Sequence, residues 1–267
     1  MTAHPQFEPF FPAHAVESCA AAVFFDSPLP SKLFIKLMEE LGAELLAAGL
    51  VEGPTGLEIQ ILVPDLQLGS GSSGAPRSFS TSDRSGALML TPFSLHWKTN
   101  QYIRWSYFLQ QIHSFFIGAL TEYSKLLHVG AVQLEYWDRF MWSGSWDDFN
   151  CGSLLLANSP LIANEAEQKT RQWHSHAGWF DVLDSGRRQL ANVNIDVQTV
   201  QSASGKSQPS VGIYTSLRED SVDFRSSKAL EWFDDSQVIP TLERQHVTLK
   251  AVLKRLIKQD MADRIGL

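Results

Sequence analysis

The sequence has only two cysteines in 267 residues, Cys19 and Cys151. Neither belongs to a Cys-x-x-Cys pair or to a Cys/His zinc spacing, which excludes a disulfide framework and a zinc ribbon. They read as two buried free thiols of a reducing compartment. No apolar run approaches the roughly 20 residues that a membrane-spanning helix needs. The stretch MTAHPQFEPFFPAHAVESCAAAVFF lacks the Lys/Arg start of a secretory leader. The expectation is a cytoplasmic protein with no membrane partner. Basic charge is also short, with 22 Lys and Arg against 29 Asp and Glu and a net charge of −7. Sequence-independent contact with nucleic acid runs through Lys and Arg, so a nucleic-acid partner is disfavoured. The glycine-rich GSGSSG has neither the Gly-Lys-Ser/Thr of a P-loop nor the strand-to-helix setting of a dinucleotide-binding turn. No Gly-x-Ser-x-Gly nucleophile elbow occurs.

What is present is a periodic apolar pattern, with hydrophobic residues making up 44% of the chain. AVESCAAAVFF (15–25) reads as a strand. Ser31 then caps a helix over 31–48, with Leu33, Phe34, Leu37, Met38, Leu41, Leu45 and Leu46 on one face. LEIQILV (57–63) alternates like a strand. Residues 64–86 are rich in Gly, Ser and Pro and read as a flexible loop. Residues 87–99 make a strand pair or one bent strand, and a long amphipathic helix over 102–127 follows. AVQLEYWDRFMW (131–142) is built of strong strand formers. RQWHSHAGWFDVLD, RQLANVNIDVQTV and SVGIYTSLRED read as a meander, with hairpin turns at Ser185-Gly186 and at 201–209. A short helix is expected around 229–233. A helix from Pro240 to Ile265 closes the chain, burying Leu242, Leu249, Val252, Leu253, Leu256 and Ile257.

The predicted class is α+β: a mainly antiparallel sheet with three long helices packed on it, in a single domain. Leu109, His113 and Phe116 on the central helix echo Leu242, His246 and Leu249 on the last one. The echo points to two related halves, about 1–130 and 131–267.

Four segments together resemble a sporadically distributed bacterial and archaeal family of uncharacterised proteins. They are SLHWKTN (94–100), the helix at 102–127, QLEYWDRF (133–140) and LERQHVTLKAVLKRLIKQDMADRIGL (242–267). The family's strand reads like ELRYINRI, and its Asn is Asp138 here. Its last helix carries a Leu-His pair, which is separated into Leu242 and His246 in this chain. The resemblance implies an architecture and no activity. A patchy distribution is typical of mobile, defence or toxin-linked genes.

Two stretches carry candidate site residues. In RQWHSHAGWF, His174 and His176 are two apart on a strand and point to one side, as two metal ligands would. Asp181, Asn194 and Asp196 are the neighbours available as a third ligand. Trp173, Ala177 and Trp179 occupy the other side, so packing alone accounts for the strand, and no metal or cofactor is expected. Between 136 and 149, Tyr136, Trp137, Phe140, Trp142, Trp146 and Phe149 lie among acidic residues. Tyr and Trp are enriched where binding energy concentrates. The leading expectation is therefore a non-enzymatic component that binds another protein through Tyr136, Trp137, Asp138, Arg139, Trp142, Trp146, His174 and His176. An accessory, antitoxin-like or immunity-like role in a bacterial defence or toxin system is its concrete form. The alternatives are a metal-dependent enzyme using His174 and His176, and a small-molecule-binding protein with a cavity between sheet and helices.

Overall fold

The computed structural model describes residues 6–53, 75–163, 166, 171–201, 205, 207–223 and 231–267. The expected strand at 57–63 lies outside these residues, as do 229–230 of the expected short helix and 64–74 of the expected loop; residues 231–233 are not helical, and Phe233 instead bridges to Val129. Small and apolar residues alternate through VESCAAAVFF and form β2 (Val16–Phe25) in the middle of the sheet. The aromatic, β-branched run at Val129–Trp142 forms β7 beside it, antiparallel, with Ala21 opposite Leu134.

From this central pair the sheet grows outward in two similar wings. β6 (Ser94–Thr99), β5 (Gly86–Thr91), β4 (Arg77–Ser80) and the two-residue β3 (Val51–Glu52) follow β2. β10 (Ser207–Asp223), β9 (Arg187–Gln201) and β8 (Trp173–Val182) follow β7. β1 (Phe7–Pro9) pairs with the far end of β7, where Phe7 faces Trp142. All of these pairings are antiparallel, in a ten-stranded sheet. In the chain each wing is followed by a helical segment.

The helices lie on one face. α1 (Ser31–Ala47) buries Phe34, Leu37, Met38, Leu41 and Leu45, whereas Leu33 and Leu46 of the expected stripe are 45% and 50% exposed. Pro30, not Ser31, holds its cap position. The architecture is α+β with a large antiparallel sheet, and the central and last of the three expected helices are divided. The central one is α2 (Trp105–Gln111), a π-helical stretch at Ile112–Phe116, and α3 (Ile117–Ser124). The wider turn inserts an extra residue into the apolar stripe, and His113 is turned out to solvent. The last helix begins earlier than Pro240, as α4 (Asp235–Lys254). Asp234 accepts from the backbone of Ser236, and the Gln237 side chain accepts from the backbone N–H of Asp234, a capping box. A break at Arg255–Lys258 separates α4 from α5 (Gln259–Arg264).

The expected loop at 64–86 needs a correction in its described part. RSFS (77–80) is strand β4, because Phe79 alternates with serines and buries its ring, 1% exposed, among the core residues. Cys19 is buried, but Cys151 is only half-buried; neither is in a disulfide. Two apolar clusters make up the core. One joins α1, α2, α3 and the first part of α4 to β2, β5, β6 and the first part of β7, and the other joins the end of α4 and α5 to the end of β7, β9 and β10.

Gly86 marks the tightest point of the first cluster. A Cβ added there meets Cζ2 and Cη2 of Trp97 at 2.7 and 2.8 Å. Trp97 is fully buried and stacks on Phe115 at 5.0 Å, so its ring has nowhere to retreat. Gly86→Ala is expected to lower stability by roughly 1–3 kcal/mol, the usual cost of overpacking. A urea unfolding midpoint equal to the wild type's contradicts this account of the packing.

Candidate functional site

β7 separates two sites, because its side chains alternate between the faces of the sheet. Val132, Leu134, Tyr136, Asp138, Phe140 and Trp142 point toward the helices and are buried. Gln133, Glu135, Trp137 and Arg139 point to the opposite face, on which no helix packs among the described residues. The cluster expected at 136–149 is therefore not one surface. Tyr136, Asp138 and Trp142 are 6%, 3% and 3% exposed on the helix side. Trp142 packs with Phe7 and Phe149 inside the second core cluster. Trp146 is half-buried at the margin and donates from Nε1 to Thr199 Oγ1 at 3.1 Å.

On the uncovered face the strand register brings Trp137 opposite Tyr214, Tyr214 opposite Asn194, and Asn194 opposite His176. The four side chains form one row across β7, β10, β9 and β8, roughly 14 Å long at the usual strand spacing. The Trp137 and Tyr214 rings meet at 5.0 Å and 52°. The next row holds Arg139, Gly212, Asp196 and His174. Gly212 leaves room for the Arg139 guanidinium, whose Nη1 lies 3.2 Å from where a Cβ would be. Arg139 is 7% exposed; it donates from Nε to Glu17 Oε2 at 2.7 Å and from Nη1 to Ser210 Oγ at 3.2 Å. The expected surface arginine is thus a buried ion-pair partner under the row. The third row is Glu135, Ser216, Asn192 and Gly178.

His174 and His176 share this face, with Trp173, Ala177 and Trp179 on the other. Both histidines are exposed. No group of three His, Cys, Asp or Glu side chains that could hold a metal ion occurs among the described residues. Asn194 Oδ1, in the row of His176, is buried without a hydrogen bond.

On the helix side, Tyr136 and Asp138 form the floor of a cavity of about 240 Å³. Its walls come from the turn before β2, the segment before α2, the middle of α4 and the last residues of the chain. His246 of α4 stacks flat on Trp105, with ring centroids 4.3 Å apart and planes 4° apart. Its Nδ1 shares a hydrogen bond of 2.8 Å with the Tyr136 hydroxyl. Tyr102 stands edge-on to Tyr136 at 5.8 Å and also bonds to it, and Cys19 lies behind.

Burial sets the protonation of this group. It pushes the Cys19 thiol and both tyrosine hydroxyls upward. It pulls His246 down to about 4, with Lys250 acting in the same direction. The Asp138 carboxyl is pushed up to about 7 by burial. No hydrogen-bond or ion-pair partner of Asp138 is found among the described residues. A buried thiol held protonated is a poor nucleophile.

Sequence reasoning picked out Tyr136 and Asp138 but placed them on a surface. His246 stands on the last helix in the sequence pattern, and its partner is a tyrosine 110 positions away. Trp105 and Tyr102 carried no signal beyond helix periodicity. No family model matches the chain, and no curated protein matches it.

Proposed function

We propose that this is a non-enzymatic binding protein that docks another protein on the uncovered face of its sheet. The observation that carries the reading is the row Trp137–Tyr214–Asn194–His176, two half-buried aromatic rings continued by an amide and an exposed imidazole. Large aromatics on a rigid strand surface supply contact area with little loss of rotamer freedom, and such residues dominate protein interfaces. Glu135 and Asp196 flank the row in the adjoining rows and Arg218 stands two rows along, giving both signs of charge, which suits a polar protein rim better than a phosphate backbone. No helix among the described residues is long and apolar enough to cross a membrane. An antitoxin-like, immunity-like or accessory role in a defence or toxin system belongs to the same proposal and rests on the family resemblance alone.

The test is affinity purification from the source cells with quantitative mass spectrometry, followed by binding measured with the partner so identified. Trp137→Ala combined with Tyr214→Ala is expected to weaken that binding at least about 30-fold, because central aromatic truncations at interfaces cost about 2 kcal/mol or more. Folding should be little affected, since neither ring belongs to the core clusters. A partner held equally well by the double variant, or lost equally on Asp138→Asn, places the interface elsewhere and overturns the reading.

A further inference from the structure

A carboxyl that is 3% exposed, lines a cavity and meets no cation is an incomplete arrangement. Burying a carboxylate costs free energy unless a countercharge or hydrogen-bond donors compensate it. The two cations of the cavity wall do not serve. Arg104 is exposed, and Lys250 donates from Nζ to the Gly266 carbonyl at 3.3 Å. Val16 and Ile213 flank Asp138 across the sheet, and the cavity that it lines is walled by Tyr102, Tyr136 and the Trp105–His246 stack. Aromatic faces around a carboxylate form the environment in which an organic ammonium group is bound, by ion pairing at one point and cation–π attraction at the walls.

We infer that the cavity between the sheet and α4 binds a small organic amine in its protonated form, with the ammonium group on the Asp138 carboxylate and the body of the molecule against Tyr102 and Trp105. The inference is independent of the docking reading, because Asp138 and Trp137 lie on opposite faces of β7. The ligand supplies the missing countercharge, so binding requires Asp138 to be ionised. The other titratable groups that face the cavity or back it are His14, Cys19, Tyr102, Tyr136, Arg104, His246 and Lys250. Burial favours the neutral forms of the two histidines, the thiol and both tyrosines. Asp138 is therefore the group whose proton is released when the amine enters at pH 6.

The experiment is isothermal titration of the full chain with three probes of one shape: phenethylamine, 3-phenylpropionate and 2-phenylethanol. Phenethylamine alone is expected to bind. Its affinity should fall toward tenfold per pH unit below about 7 and level off above, with proton release at pH 6 seen as a buffer-dependent enthalpy. Asp138→Asn should weaken it at least about thirtyfold, and Trp105→Ala should weaken it while leaving the pH profile in place. Preference for the propionate or the alcohol, an amine affinity untouched by Asp138→Asn, or no binding of any probe at millimolar concentration overturns the inference. The last result leaves the docking reading standing, since that is tested at Trp137 and Tyr214.

Discussion

Asp138→Asn is expected to make the protein more stable at pH 8 and to leave its stability at pH 4 nearly unchanged. The carboxyl titrates near 3.8 when exposed and near 7 in the folded chain. The folded state thus holds a proton that the unfolded state has lost between those values. Its contribution is fully present below about 4, declines as pH rises through about 7, and is constant beyond. One pKa unit corresponds to 1.36 kcal/mol, so the ionised carboxylate costs roughly 4 kcal/mol at pH 8. An amide of the same shape has no such cost and can still reach the Tyr136 side of the cavity. His246, pulled down to about 4, and His96, buried and pulled down to about 3, act with the opposite sign. Both favour the fold above pH 6.5, and that contribution is lost as pH falls toward their folded values. Between about pH 4 and 6.5 the Asp138 and histidine effects therefore offset each other in the wild type, and the Asn variant keeps only the rise that the histidines supply. Thermal melts from pH 4 to pH 8 decide this. A difference between the two proteins that is constant across that range means that Asp138 is ionised and paired throughout.

The same residue shows what the sequence could and could not disclose. LEYWDRF announces a strand, because aromatic and β-branched residues favour a pleated, half-buried surface. It does not announce which alternate set faces the helices, since both sets hold rings: Tyr136 and Phe140 in one, Trp137 in the other. A one-residue choice of parity sends every side chain to the other face. It decides whether Asp138 belongs to a surface or to a cavity floor. The α1 and α4 stripes were legible because 3.6-residue periodicity is independent of partners. The π-helical stretch in the central helix was not, because IHSFF has the same composition as its flanks. β4 was hidden for a different reason. A four-residue strand with one buried residue, Phe79, carries almost no hydrophobic pattern, and its serines read as loop. The start of α4 was legible in principle, as an Asp three residues before a Gln, but Pro240 offered a competing signal. The cavity itself unites residues 102–105, 136–138 and 246–250, and only the register of β2, β7 and α4 brings them together.

Glu219 of β10 ties α4 to the sheet through Arg244. It is 1% exposed on the helix side of β10. Arg244 of α4 donates to it from Nη2 at 2.7 Å, and Arg187 of β9 stands 3.6 Å away. Arg187 also lies over the Phe233 ring at 3.9 Å and donates to the Glu231 carbonyl at 2.9 Å, so its place is fixed from both sides of the α4 entry. Glu219→Ala leaves the Arg187 guanidinium, whose side chain is 12% exposed, without its anion. Removing one member of a buried pair costs about 3–5 kcal/mol, a large share of a typical total of about 5–15 kcal/mol. Arg244→Ala should cost much less, because that side chain is half exposed and Glu219 retains Arg187. The triple change of Glu219 to Leu, Arg187 to Met and Arg244 to Leu separates two explanations. If the loss in Glu219→Ala comes from an uncompensated charge, the apolar triad recovers most of it. If it comes from a lost attachment of α4, the triad remains as unstable as the single variant. Urea unfolding measures the stabilities, and hydrogen exchange along α4 locates the effect. A Glu219→Ala loss below about 1 kcal/mol contradicts the assignment of this pair as the link between α4 and the sheet. Because α4 carries His246 and Lys250, a variant that loosens it should also lose phenethylamine affinity at pH 8, although Glu219 does not line the cavity.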